Sequence, residues 1–217
     1  PGFSRAVASL PELELAAAGN GALTSLPDPD GVIRRAPLLL RMGDTLFPSL
    51  GLEALRVAQN ARTGVVRASG GHQAESFGQH TGISQVKMGE FVLPTDARGR
   101  VWLWYAGPQP ERYIPAWRLF EPDFDVSEIA GRIVFVGTSA AGLKDLRATP
   151  LHPALPGVEL YAELLEQGFA GTYMARPDFA VGLEIVYVLI FGVVLILLLP
   201  RAGARWGGLL GLAAVAL

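Results

Sequence analysis

The pattern of apolar and polar positions changes character sharply at residue 179. From Phe179 to Leu199 the chain reads FAVGLEIVYVLIFGVVLILLL, 21 residues with one charge, Glu184. At about 1.5 Å per helical residue this run reaches roughly 30 Å, the thickness of a bilayer's hydrocarbon core. Soluble core helices of that length normally keep a polar stripe, and this run has none, so it predicts a transmembrane helix over 179–199. Glu184 near its outer end is expected to reach the interface rather than to work inside the bilayer. A second apolar run, Trp206 to Leu217, is too short to span and predicts the start of a second membrane helix. The two are joined by PRAGAR, residues 200–205, with two arginines and no acid. Short positive loops stay cytoplasmic, so residues 1–178 are expected on the extracytoplasmic side of a cell inner (cytoplasmic) membrane. Pro1 opens without a Met and Leu217 stops inside an apolar run, which predicts an internal fragment of a longer protein whose N-terminal part is missing.

Before residue 179 the patterns are shorter. Leu10 to Ala18 is a brief helical pattern that stops at Gly19, and Leu26 to Gly31, LPDPDG, is a tight loop. Val32 to Met42 reads as one strand, closed by a Gly43-Asp44 turn. Ser49 is placed to cap a helix from Leu50 to about Ala61, with Leu50, Ala54, Leu55 and Ala58 on one face. Val65 to Gly89 is weakly patterned. Glu90 to Leu93, a turn at Asp96–Gly99, and Val101 to Tyr105 read as a β-hairpin. Pro115 to Phe120 suggests a helical turn. Ile133 to Val136, between Gly131 and Gly137, is a continuous apolar run that predicts a central strand buried on both faces. Gly157 to Phe169 predicts a helix with Leu160, Leu164 and Leu165 on its apolar face. These elements predict an α/β domain, a mixed sheet with flanking helices, followed by one complete and one truncated transmembrane helix.

Charge narrows the partners. Up to Asp178 there are 16 Lys and Arg against 19 Asp and Glu, so the domain is weakly acidic and nucleic acid is not expected as a partner. There is no Cys, which excludes disulfides and thiolate metal sites, and the three His are far apart, so neither metal nor cofactor is expected. Asp28-Pro29-Asp30-Gly31 lacks the further oxygen ligands of a calcium loop and reads as a turn.

The loop after the expected central strand, Gly137 to Asp145, is the first place to look for chemistry. It is not a phosphate loop, because Leu143 intervenes between Gly142 and Lys144 and Asp145, not Ser or Thr, follows that Lys, where an acid repels phosphate. It is not a nucleophile elbow either: Ser139 sits in G-x-S-x-x-G, with His152 the nearest candidate base. Ser139 and Asp145 remain candidate ligand contacts at the C-terminal edge of a sheet. Arg34 and Arg35, beside Asp28 and Asp30, read either as an anion-binding edge or as ion pairs that fix the loop, the second being the simpler.

Two stretches together resemble a known family. Leu26 to Leu55 carries Asp28-Pro29-Asp30-Gly31, Arg34-Arg35 and Phe47-Pro48-Ser49. Gly131 to Gln167 carries Val136-Gly137, Asp145, Thr149-Pro150 and Pro156-Gly157-Val158-Glu159. This set resembles the type-two CHASE domain, the extracellular sensory domain associated with cyclases and histidine kinases. The resemblance implies one membrane helix, the outside domain, three membrane helices and a cytoplasmic output module, in that order. Where the family has His-Ala-Asn, this chain has Tyr161-Ala162-Glu163, which adds Tyr161 to Arg34, Arg35, Ser139 and Asp145 as candidate ligand contacts. The expected function is sensory input, passing a signal from a small ligand or extracytoplasmic partner to a nucleotide cyclase or protein kinase, with no catalysis in residues 1–217. The lipid bilayer and a second copy in a homodimer are further expected partners. Two other readings stay open: a membrane-anchored extracytoplasmic hydrolase using Ser139 or Asp145, and a structural scaffold holding a membrane dimer together.

Overall fold

The computed structural model of the protein describes residues 1–68, 82–107, 109–143, 145–174, 180 and 182–197. The described residues up to 174 form one compact unit, and those at 180 and 182–197 belong to a second.

In the first unit the chain opens with β1 (Gly2–Phe3) and the short helix α1 (Pro11–Ala16). It continues through β2 (Arg35–Pro37), β3 (Leu39–Met42) and β4 (Thr45–Pro48) into helix α2 (Leu50–Ala58). Next come β5 (Gly64–Ala68), β6 (Ile83–Met88), β7 (Phe91–Pro94) and β8 (Arg100–Trp102). A stretch of 3-10 turns over 110–128 leads to β9 (Leu146–Arg147), β10 (Leu155–Pro156) and helix α3 (Glu159–Ala170).

The expected single mixed sheet is replaced by four small ones among the described residues: β1-β3-β4, β2-β8, β5-β6-β7 and β9-β10. The first is mixed, with β1 parallel to β3 and β4 antiparallel to it. The run at 32–42 is split between two sheets at Leu38, one of the most deeply buried residues. Pro37 has no N–H to continue a ladder. At Leu38 the backbone turns to other partners: its N–H donates to Gly99 O (2.9 Å) and its carbonyl accepts from Ser49 N–H (2.9 Å).

The expected hairpin between residues 90 and 105 is also corrected. Its turn is present, since Asp96 Oδ1 accepts from Arg98 and Arg100 N–H at 2.9 and 3.0 Å, and Gly99 takes a positive φ of 72°. The arms separate, however: β7 pairs with β6, and β8 pairs with β2. Turn chemistry is local, and it does not decide which neighbour each arm meets.

A third correction concerns Ile133 to Val136. The segment has no regular secondary structure and joins no ladder among the described residues. Ile133 and Phe135 pack against the core, while Val134 and Val136 are 55% and 90% exposed. A four-residue apolar run fits a one-faced segment as well as a two-faced strand, and only neighbours decide between them.

The two helices that hold the core follow the pattern closely. Ser49 Oγ accepts from Leu52 N–H at 3.5 Å and caps α2, which buries Leu52 and Leu55. Helix α3 buries Leu160, Leu164 and Leu165 in the same cluster, together with Leu38, Val86, Leu93, Val101 and Leu103. It runs to Ala170, one residue past the expected end at Phe169, and is closed by Gly171 in the left-handed region at φ 64°.

In the second unit, residues 182–197 are helical (α4). Most apolar side chains from Leu183 to Leu197 are 41% to 72% exposed, including every position from Ile185 to Ile190, while Phe191 and Leu195 are half-buried. Among the described residues no helix is long and apolar enough to cross a membrane. Positions 179, 181, 198 and 199 of the expected span, the 200–205 linker and the 206–217 run lie outside the described residues.

These placements separate two substitutions by size. Leu164→Ala empties a fully buried position and should cost about 2–5 kcal/mol. Val134→Asp places its carboxylate at an exposed position and should cost less than about 1 kcal/mol. Chemical denaturation of both variants checks the contrast, and a large loss for Val134→Asp would restore the buried strand.

Candidate functional site

Arg34 and Arg35 are engaged by the loop that precedes them. Arg34 donates to Asp30 (2.7 Å) and to Asp28 (3.3 Å); Arg35 donates to Asp28 and lies 3.6 Å from Asp96. The Arg34 hydrogen bonds, with the Val32 N–H, hold the Asp30 carboxyl down at about 2. Burial pushes Asp28 up, but the hydrogen bonds and charges of Arg35 and Arg34 outweigh it and leave that carboxyl below its ordinary value. The Arg35 guanidinium also lies 4.8 Å over the Trp102 ring. This geometry is that of ion pairs fixing a turn. Among the described residues no group of His, Asp and Glu is arranged to hold a metal ion.

Ser139 and Asp145 part company. Ser139 is exposed, and its hydroxyl bonds no described residue, so it has no base to activate it. Asp145 is half-buried and works structurally: its carbonyl accepts from Gly157 N–H (2.7 Å), and its Oδ1 accepts from Arg147 (3.3 Å). Tyr161 is buried beside Phe135, with ring centroids 6.2 Å apart. Burial, then the nearby charge of Asp145, push its phenol up to about 12. Asp145 and Tyr161 thus share one neighbourhood, while Ser139 bonds neither of them.

The sequence reading missed the largest polar construction in the domain. Glu159, Glu163 and Gln167 recur every fourth residue along α3, so they stack on one face, and all three are buried. Gln167 Oε1 accepts from Trp104 N–H (3.0 Å), and its Nε2 donates to Trp102 O (2.8 Å). Glu163, only 2% exposed, accepts from Ala106 N–H (3.3 Å) and from Arg112 (3.1 Å). Arg112 also pairs with Glu166. Glu159 accepts from the Tyr113 hydroxyl. The helix face therefore stands in for a strand alongside residues 102–106 and anchors the turn at 110–113. Burial pushes both Glu159 and Glu163 up; Glu163 adds to the effect on Glu159, and Arg112 opposes it at both. The four-residue spacing of acids and amide beside an apolar face was the available signal.

Where α3 begins, an open cleft of about 380 Å³ is lined by Gln109, Pro110, Tyr113, His152, Leu155, Pro156 and Glu159. His152 Nδ1 accepts from Ala154 N–H (3.1 Å), which leaves Nε2 to carry the proton of the neutral ring. A second cleft of about 370 Å³ borders Thr24, Ser25, Gly31, Ile33 and Arg147. These are the two concave surfaces that stand out, and neither contains Ser139.

The family model for the CHASE2 domain matches residues 2–199. The chain belongs to the CHASE2 domain family. CHASE2 domains are sensory domains of receptors, not catalysts. No curated protein and no solved structure gives a significant match to the chain. Several of the residues that carried the resemblance secure turns, a cap and close approaches in this CHASE2 domain. Asp28 and Asp30 lock Arg34 and Arg35, and Ser49 caps α2. Thr149 Oγ1 accepts from His152 N–H (3.0 Å) and closes the turn before β10. A Cβ on Gly157 would sit 2.4 Å from Asp145 Oδ1, and one on Gly137 would sit 2.6 Å from Val158, so close approach excludes larger residues at both. Pro156 and Glu159, the first and last residues of the Pro-Gly-Val-Glu run, line the cleft where α3 begins.

Gln167→Leu keeps the volume and removes both strand-like hydrogen bonds. It should cost about 1–3 kcal/mol by denaturation, because the Trp104 N–H and Trp102 carbonyl lose their partners. The carboxyls also set a pH dependence. Glu159 and Glu163 have native values above the ordinary 4.5, so folding takes up protons, and stability should rise as pH falls from their native values toward 4.5. Asp28 and Asp30 are lowered from 3.8, so their contribution is lost below 3.8, for Asp30 as pH nears about 2. The melting midpoint should therefore peak on the acid side of neutral and above 3.8. Glu159→Gln should flatten the acid-side gain, and an unchanged profile would show that Glu159 titrates normally.

Proposed function

We propose that the chain is the extracytoplasmic sensory input region of a bacterial transmembrane receptor, which passes a ligand or partner signal to a cytoplasmic output module such as a nucleotide cyclase or protein kinase. The observation that carries this reading is membership of a sensory family over residues 2–199, a match that runs on from the domain into the apolar run at 179–199. The apolar surface of α4 supports a helix bound for lipid or for partner helices, because water alone would leave that surface without cover. The arginines of PRAGAR support a cytoplasmic position for residues 200–205.

The mechanism is a population shift. The cleft touches α3 at its first residue, Glu159. At the other end of α3 the chain is tied down before it leaves the domain: Tyr173 donates to Gly168 O (3.3 Å), and Met174 bridges to Trp102, the residue whose carbonyl Gln167 holds. One rigid helix thus links the cleft with the exit segment. An occupant that prefers one setting of α3 biases that segment, by no more than its difference in affinity for the two settings.

A reporter active only in the cytoplasm tests the topology in the full-length receptor. Fusion after Arg205 should give an active reporter and fusion at Gly107 an inactive one. The reverse pattern would put the domain in the cytoplasm and remove the sensory reading as stated.

A further inference from the structure

We infer that the cleft at the start of α3 is a binding site for a small organic ammonium ion, with Glu159 and Tyr113 receiving the cationic group. The inference rests on the sensory reading above for its purpose, but the chemistry of the cleft stands independently.

Glu159 is 5% exposed, lines the cleft and has one hydrogen-bond partner among the described residues, the Tyr113 hydroxyl on Oε2. Its Oε1 has none. The nearest guanidinium, that of Arg112, is already divided between Glu163 and Glu166. Three carboxyls thus surround one arginine, and the one that faces the cleft is the one without an ion pair. A buried carboxylate without a cation is costly, and an arriving ammonium removes that cost while gaining a charge-assisted hydrogen bond. The phenol beside it adds an aromatic face that favours cations.

The rest of the lining sets the shape of the guest. Pro110, Leu155 and Pro156 are apolar and suit a compact hydrocarbon body. His152, with Nδ1 occupied by Ala154 N–H, offers an Nε2–H to an acceptor on the guest. About 380 Å³ lies near the lower end of ligand clefts, roughly 300–1,000 Å³, which favours a fragment-sized amine over a peptide or nucleotide. An anionic guest would meet Glu159 directly, so carboxylates and phosphates are excluded by charge.

The test is calorimetric and ligand-observed titration of the full chain in detergent micelles. The probes are primary and quaternary ammonium compounds of about six to ten non-hydrogen atoms, each beside its neutral hydroxyl isostere and its carboxylate analogue. Ammonium members should bind at least about tenfold tighter than the isosteres, and the carboxylates should not bind. Glu159→Gln should abolish that preference with the fold intact, and Tyr113→Phe should weaken binding. Should Glu159→Gln fail to fold, Gln109→Lys at the cleft wall places a competing cation there and should abolish binding instead. Absence of ammonium binding to the folded chain, equal binding of neutral isosteres, or preference unchanged in Glu159→Gln would each overturn the site and leave the sensory reading standing. Ammonium binding that never alters the output of the full-length receptor would support the site and overturn its sensory purpose.

Discussion

The domain depends on one face of α3 acting as a strand. Where the chain leaves β8, some backbone groups of residues 102–106 are taken up by side chains of α3 rather than by a strand. Gln167 satisfies one N–H and one carbonyl, and Glu163 satisfies a further N–H. Buried polar groups of the backbone must find partners, and here the partners are side chains at four-residue intervals. Because the same helix buries Leu160, Leu164 and Leu165 on its adjoining face, the core and this ladder cannot form separately. Tyr105 completes the arrangement by donating to Ile33 O at 2.8 Å, which ties this segment back to the chain entering β2.

That constraint explains why the carboxyls of α3 are buried at all. Burying a carboxylate is unfavourable unless hydrogen bonds or opposite charge compensate. Glu163 has both, from Ala106 and Arg112. Glu159 has only a phenol, and it lines a cleft. The difference between two acids one turn apart is the difference between a structural group and a receptive one. In the sensory reading proposed above, such a group at the first residue of a helix that also holds the exit segment would connect binding to transmission without any covalent chemistry.

The motif residues shared with CHASE2 domains divide in the same way. Asp28, Asp30, Ser49, Thr149 and Gly157 secure turns, a cap and a close approach, and all of them act within a few residues of chain or across one tight contact. Ser139, which looked the most chemical residue in the sequence, is exposed and bonds no described residue. A Gly-rich loop after an apolar run suggests a ligand site only when a sheet stands behind it, and here the run at 133–136 joins no ladder among the described residues.

The sequence by itself determined the family, the two amphipathic helices α2 and α3, the cap at Ser49, the turns at Gly43 and Gly99, and the ion pairs of Arg34 and Arg35 with Asp28 and Asp30. Apart from the family, which rests on motifs in two distant stretches, each of these is local: a side-chain period, a cap, a positive φ or a charge pair a few residues apart. Only the tertiary structure decided that the run at 32–42 breaks at Leu38 into two sheets, that the arms about Asp96 part, and that residues 133–136 pack on one face. It alone brought Tyr113 to Glu159, Arg112 to Glu163 and Trp104 to Gln167, pairs 46 to 63 residues apart. Strand pairing and long-range hydrogen bonds depend on which distant segment arrives alongside, and no local pattern of residues encodes that neighbour.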